Sequence, residues 1–411
     1  MKFRIYRLTG IIAITLIAML TGLRLPHPAA AQVIQPNPRV EQKLLDELQA
    51  NGSADFVIEM AEQADLSAAY AISDWNERGQ YVVDTLKATA DRSQKGVRGQ
   101  LERQGARYTA YFASNVVVVR GGSQRALEAV ANLPEVARVR APIMVRLEPV
   151  QSKILQPFRL TLPQASIQGV TDWGITDTGA PSFWSTFERQ GEGIIVANID
   201  SGVKYNHPAL AQSYRCVAGN ADDSRCWFNA NPGVNCPIGV PCDDNGHGTH
   251  TMGTMVGNDD SVLTDNVGMA PSAQWIACRA FRGTEDAPDA ALNACAEWIL
   301  APASNPANRP HVVNNSWGIT GHNEWFRPIV RAWLAAGIFP VFSAGNSGSN
   351  STCGNIGSPA DYPEGLTVTA HDTLGQIAWF SSKGPNFYGE ISFVKPNLSA
   401  PGVSIRSAYV N

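Results

Sequence analysis

The chain is 411 residues long, 17% charged, with a formal net charge of −4 and seven cysteines. That length allows two domains and a sizeable core, and the near-balanced charge argues for neither nucleic acid nor an anionic surface as partner. The composition is otherwise that of a soluble globular protein.

Lys2, Arg4 and Arg7 precede an apolar stretch over 10–23, and Ala29-Ala30-Ala31 offers small residues for cleavage before Gln32. This predicts an export signal over 1–31. The apolar run is shorter than the ~20 residues a spanning helix needs, and no other stretch could span a membrane, so a secreted product, extracellular or periplasmic, is expected. Residues 32–39 form a proline-containing leader. Over 40–147 the pattern predicts a strand at 55–61 and a helix at 80–104, with Val82, Leu86, Ala90, Val97 and Leu101 near one face. Strands at 108–113 and 115–120, a second helix at 123–132 and a last strand at 136–146 follow. That order, βαββαβ, is the split ferredoxin-like α+β arrangement. Residues 148–169, with several Pro and Gln and no clear period, read as a linker.

From about residue 170 strands and helices alternate. The apolar run 193–199 reads as a buried parallel strand ended by the turn at Ser201-Gly202. This puts Asp200 at the carboxyl end of a central strand, where open α/β sheets place their sites, although a strand-end Asp is also a common turn residue. Asn245-Gly246-His247-Gly248-Thr249-His250 suits a tight turn opening into a helix. Glycine on either side of His247 lets the backbone pass close to a neighbour and leaves the imidazole uncovered. Its unperturbed pKa fits proton transfer near neutrality. A lone histidine is more often a plain surface or core residue; Asp200 gives this one its weight, because a carboxylate there could accept the Nδ1 proton and fix the tautomer. A strand at 273–281, helices at 289–300 and 325–336 and strands at 311–316, 338–344 and 366–370 complete the pattern. Asn346 ends one of these strands and could donate to a developing oxyanion. The alternation implies a parallel sheet covered by helices on both faces.

Cys216, Cys226, Cys236 and Cys242 crowd the loop between Asp200 and His247, Cys278 closes a strand, and Cys295 lies on the helix that follows. In an exported protein such groups read as disulfides. Proximity in sequence predicts two bridges within the first four and a third between Cys278 and Cys295. Zinc at the four-cysteine loop is the alternative, but the loop has no Cys-x-x-Cys pair. Cys353 is left over, with a partner expected beyond Asn411.

Asp200-Ser201-Gly202, His247-Gly248-Thr249-His250, Asn314-Asn315-Ser316-Trp317-Gly318 and Ser343-Ala344-Gly345-Asn346, in that order, resemble the subtilisin-like serine peptidases, or subtilases. Trp173-Gly174-Ile175, His207-Pro208-Ala209-Leu210 and Trp275-Ile276-Ala277-Cys278 are similar to the branch typified by bacillopeptidase F. The resemblance implies peptide-bond hydrolysis by an Asp-His-Ser triad, with His247 as base, Asp200 orienting it and Asn346 donating to the oxyanion. Ser316, Trp317 and Gly318 match the family segment that pairs with extended substrate backbone, with Trp317 equally readable as a core aromatic. Protein or peptide substrates and no cofactor for the chemistry are implied. So is the role of 40–147: an inhibitor-like prosegment that assists folding and then occupies the cleft. Processing would fall in 148–169, ahead of a catalytic domain from 170 to 411. Structural calcium is common in the family, and Asp222, Asp223, Asp259 and Asp260 are conceivable ligands. Loop acids are usually just solvated, so no metal residue is assigned.

One departure stands out. The family's nucleophile sits in Gly-Thr-Ser-Met-Ala, and no Gly-Thr-Ser occurs in this chain. Residues 395–403 resemble the segment shortly before that motif, so the serine and its helix are expected beyond Asn411, leaving residues 1–411 inactive by themselves. Two rivals remain. One is a metal hydrolase built on His247, His250, Asp243 and Asp244, although helical zinc hydrolases space their histidines i, i+4 around a glutamate. The other is a degenerate, non-catalytic subtilase or an inhibitor of other peptidases.

Overall fold

The computed structural model describes residues 37–148, 171–216, 224–233, 235–236, 239–258, 267–348, 352–388 and 391–410. The expected export signal and nearly all of the linker at 148–169 lie outside them.

The first part follows the βαββαβ pattern with additions. Its elements are α1 (Gln42–Asn51), β1 (Ser53–Met60), α2 (Trp75–Ser93), α3 (Lys95–Arg103), β2 (Arg107–Tyr111), β3 (Val116–Ser123), α4 (Gln124–Ala131), β4 (Val136–Arg140) and β5 (Met144–Leu147). The first four strands form an antiparallel sheet in the order β2-β3-β1-β4. Successive side chains of a strand point to opposite faces, and here both faces are used. Phe56, Ile58, Val117 and Val119 join Leu44, Leu48, Val97, Leu101 and Leu127 in a core of their own. Val57, Val116 and Val118 turn the other way, onto Ala290.

Local readings change in four places. Helix α1, with only Leu44 and Leu48 buried, gave too weak a period to be expected. Helix α2 starts earlier, at Trp75, where Asp74 caps it by accepting from Glu77 N at 2.9 Å. The helix expected over 80–104 breaks at Gln94, a buried residue whose Nε2 donates to Tyr111 O and Asn115 Oδ1, both at 2.9 Å. The strand expected over 136–146 divides at Ala141-Pro142-Ile143, and β5 leaves the first sheet for the second part of the chain.

That second part comprises α5 (Trp173–Asp177), α6 (Ala180–Phe187), β6 (Ile195–Asp200), α7 (Pro208–Ala211), β7 (Trp227–Asn229), α8 (His247–Val256), β8 (Gln274–Arg279), β9 (Ala287–Pro288), α9 (Asp289–Leu300), β10 (Val312–Asn315), β11 (Trp317–Gly318), α10 (Arg327–Ala335), β12 (Phe339–Ser343), β13 (Leu366–His371), β14 (Asn386–Tyr388), β15 (Ile391–Phe393) and β16 (Leu398–Pro401). Seven strands make one sheet in the order β16-β13-β12-β10-β6-β8-β7, each neighbouring pair parallel. Helices flank it, as the alternation predicted. Strand β6 sits inside the sheet between β10 and β8, so the carboxyl end of a buried strand presents Asp200.

Helix α9 is where the two parts meet. Glu297 accepts from the main-chain N–H of Phe112 and, at 2.9 Å, of Ala113. Ser114 Oγ donates to Asn293 Oδ1 at 2.7 Å. Arg140 links Glu59 Oε1 at 2.5 Å to Asp289 Oδ2 at 2.6 Å. Val82, Val83 and Leu86 of α2 also join the large core of the second part.

Two bridges lie within the four-cysteine loop and the third joins Cys278 to Cys295, as expected; the pairing within the four, which the sequence left open, is Cys216–Cys226 and Cys236–Cys242. They rule the zinc reading out of that loop, and Cys353 is free and exposed. The third bridge ties β8 to α9 across 17 residues, a loop length worth about 3 kcal/mol of stability. Replacing Cys278 and Cys295 together by alanine should therefore lower the urea midpoint by that equivalent, and non-reducing peptide mapping should recover all three pairs. Among the described residues no helix is long and apolar enough to cross a membrane.

Candidate active site

Asp200 is fully buried at the end of β6. Its Oδ1 lies 2.8 Å from His247 Nδ1 and also accepts from Ser201 N at 2.7 Å, while Oδ2 accepts from Thr251 Oγ1 at 3.3 Å. His247 is the first residue of α8 and only 7% exposed. The two flanking glycines are required by space. Gly246 has φ +98°, and a Cβ there would strike the Tyr409 ring; a Cβ on Gly248 would lie 2.0 Å from Gly202 O.

A second carboxylate holds this turn from behind. Asp243 Oδ1 accepts from Ser201 Oγ at 2.9 Å, Asn245 N at 3.0 Å and Gly246 N at 2.8 Å. Its Oδ2 accepts from Thr249 N at 2.9 Å and Thr249 Oγ1 at 2.6 Å. Ser201 Oγ in turn accepts from Gly248 N at 2.9 Å, so the strand end and the helix start are locked together. Sequence reading weighed Asp243 only as a metal ligand; its role is to hold the helix start, for which an Asp just ahead of a helix is a known signal. The same geometry disposes of the metal rival. Asp243 is fully engaged as a cap, and Asp244 is committed to Arg279 Nη2 at 2.8 Å and Gly283 N at 2.9 Å. Among the described residues no group of three or more His, Cys, Asp or Glu could hold a metal ion. Asp222, Asp223, Asp259 and Asp260 lie outside them.

Burial alone would lower the pKa of His247. The charge of Asp200 and its hydrogen bond, with Asp243 and a hydrogen bond to the Glu148 main chain, outweigh that and hold it above the ordinary value. The ring is thus prepared to accept a proton on Nε2 while Nδ1 stays on Asp200.

The wall opposite is built by strand ends. Strand β5 runs antiparallel to β11, with Leu147 opposite Trp317 and Arg146 opposite Gly318, and continues onto β9 through Val145 opposite Ala287. Glu148 N donates to Ser316 O at 3.3 Å. The Trp317 side chain is 1% exposed and packs edge-on to Phe326 and Phe342, while its main chain pairs with β5. Asn346 lies across from His247. Both line a cavity of about 750 Å³ together with His250, Ser316, Trp379 and Val403. The structure therefore gathers His247, Asn346 and Ser316 around one cavity, with Asp200 buried behind His247 and Gly318 on the wall of a second cavity that shares Asn346. Glu148 joins them without any signal in its own sequence, because its place depends on where β5 pairs.

An Asp–His pair at the carboxyl end of a parallel sheet, beside an edge segment that takes up an extended strand, places the chain among α/β proteins that carry a polarised imidazole at the end of the sheet. The particular family follows from comparison: residues 191–411, more than half of the chain, match the subtilase family, and the chain belongs to it. Bacillopeptidase F of Bacillus subtilis (strain 168) is 37% identical over 375 residues, covering 87% of this chain and 25% of that protein. The thermostable alkaline protease of Halalkalibacterium halodurans is 30% identical over 60% of this chain and 57% of its own length. Subtilisin E of Bacillus subtilis (strain 168) is 30% identical over 57% of this chain and 53% of its own. The chain thus spans between a quarter and a little over half the length of these relatives.

Proposed function

We propose that this chain is the precursor of a secreted serine endopeptidase. The observation that carries the reading is the His247 Nδ1–Asp200 Oδ1 contact of 2.8 Å beside a strand end bound to Ser316. In this reading His247 takes the proton of a serine hydroxyl and returns it to the leaving amine, Asp200 fixes the tautomer, and Asn346 donates to the oxyanion. Ser316 and Gly318 bind protein or peptide substrates through main-chain pairing, which tolerates many sequences. The serine would come from residues after Asn411, and the cavity of about 750 Å³ beside His247 is where its segment would seat. Residues 1–31 direct export, 40–147 form the prosegment, 148–169 hold the processing site and 170–411 belong to the catalytic domain. Three disulfides support an oxidising destination. Calcium as a structural ion finds no support in the described residues.

The prosegment role has a direct test. Residues 40–147 carry their own core and end on the strand that pairs with Trp317 and Gly318, so they should fold alone. Added in trans to the mature protein, they should inhibit casein hydrolysis stoichiometrically. Absence of inhibition at any concentration would make them an attached accessory domain instead.

A further inference from the structure

Strand β5 brings a side chain as well as a backbone into the cleft. Glu148, whose main chain is held by Ser316 O and His247, lines a cavity of about 310 Å³ walled by Gly318, Gly345, Asn346, Ser347 and Ser382. Its Oε2 accepts from Asn346 N at 3.1 Å. Its Oε1 faces Gly345, whose φ of +94° sets the wall there; a Cβ on that residue would lie 3.6 Å from Oε1, an ordinary contact, and 3.1 Å from Ser382 Oγ. The other charged residues on the lining are Arg146 and Asp286, which pair with each other at 3.7 Å. The carboxylate is thus met by a neutral N–H and small polar walls rather than by a cation, and burial pushes its pKa above the usual carboxylate range. A neutral N–H serves an amide oxygen as well as a carboxylate. A leucine in the same place would give up the hydrogen bond, and a lysine has no acceptor oxygen to offer it.

We propose that this pocket selects glutamate or glutamine as the residue immediately before the scissile bond. The proposal rests on the peptidase reading above, and the test separates the two. Peptides of sequence Val-Arg-Leu-X-Ala-Ser, with X as Glu, Gln, Leu or Lys, are offered to the mature natural protein. They keep residues 145–147, replace Pro149 by alanine so that a prolyl bond does not limit the cut, and carry serine in place of Val150. The kcat/KM for Glu and Gln should exceed that for Leu and Lys by about tenfold or more, the worth of one hydrogen bond to a charged or amide group in a closed pocket. Ser347→Asp places a like charge on the wall. It should lower kcat/KM for Glu about tenfold more than for Gln, a ratio that a general effect of the substitution on the fold or the pocket does not move. Preference for Leu or Lys, or equal losses for Glu and Gln in Ser347→Asp, would overturn the pocket assignment and leave the peptidase reading standing. Cleavage of none of the four would overturn both.

Discussion

His247→Ala should abolish peptide-bond hydrolysis in the full-length natural protein, with the fold intact. The side chain fills the cleft surface at the start of α8, and its removal leaves the cap built by Asp243 and Ser201 in place, so circular dichroism and the thermal midpoint should change little. The chemistry should change completely. Losing the equivalent histidine of subtilisin costs about 10⁶ in kcat, a figure carried over from that enzyme rather than derived for this chain. Asp200→Asn should cost about 10⁴, because an amide facing Nδ1 stabilises the wrong tautomer. Base catalysis needs the neutral ring, so wild-type activity should rise with pH through the pKa of His247, which the Asp200 pair keeps above that of a free histidine. Steady-state kinetics on a peptide substrate checks all three. Near-normal turnover in either variant would sink the assignment.

Arg140→Met should be the most damaging single change outside the cleft. The Arg140 side chain is 3% exposed and spans from Glu59 in β1 to the fully buried Asp289 at the start of α9. Asp289 has one carboxylate oxygen on Arg140 and the other without a partner, so removing the guanidinium strands a buried negative charge. Breaking one partner of a buried pair costs about 3–5 kcal/mol, whereas replacing both by apolar residues is often nearly neutral. In the trans-inhibition assay Arg140→Met in residues 40–147 should weaken inhibition between about a hundredfold and several thousandfold. Pairing it with Asp289→Leu in the enzyme should restore most of the loss. An unchanged inhibition constant in the single variant would show that this network contributes nothing to holding the two parts together.

Much of the architecture was legible because it rests on period and punctuation. The run 195–199 ahead of Asp200-Ser201-Gly202 and the glycine-flanked His247 each state their element, and the order of motifs states the family. The first sheet was readable for the same reason, although Val116 to Val119, buried on both faces, shows no alternation by which to choose between them. What sequence left hidden depends on tertiary contact. The break at Gln94 arises from partners at Tyr111 and Asn115. The strand expected over 136–146 ends at Arg140, and nothing in residues 144–148 says that they cross to Trp317 and Gly318. That crossing is what puts Glu148 against Ser316, Asn346 and His247, so a site residue was missed that no local pattern encodes. Trp317 was undecided between substrate wall and core for a related reason. The aromatic side chain is core, while the main chain beside it does the pairing.

The most direct test of the account is labelling by a fluorophosphonate probe, which reports a serine activated by a neighbouring base. Two forms should be compared: residues 1–411, and the same chain continued to its natural stop codon. The account predicts no labelling of residues 1–411, and labelling of the longer form at a serine after Asn411 that His247→Ala eliminates. Labelling of residues 1–411 that is likewise lost in His247→Ala would contradict it, because some serine within the chain would then be the nucleophile.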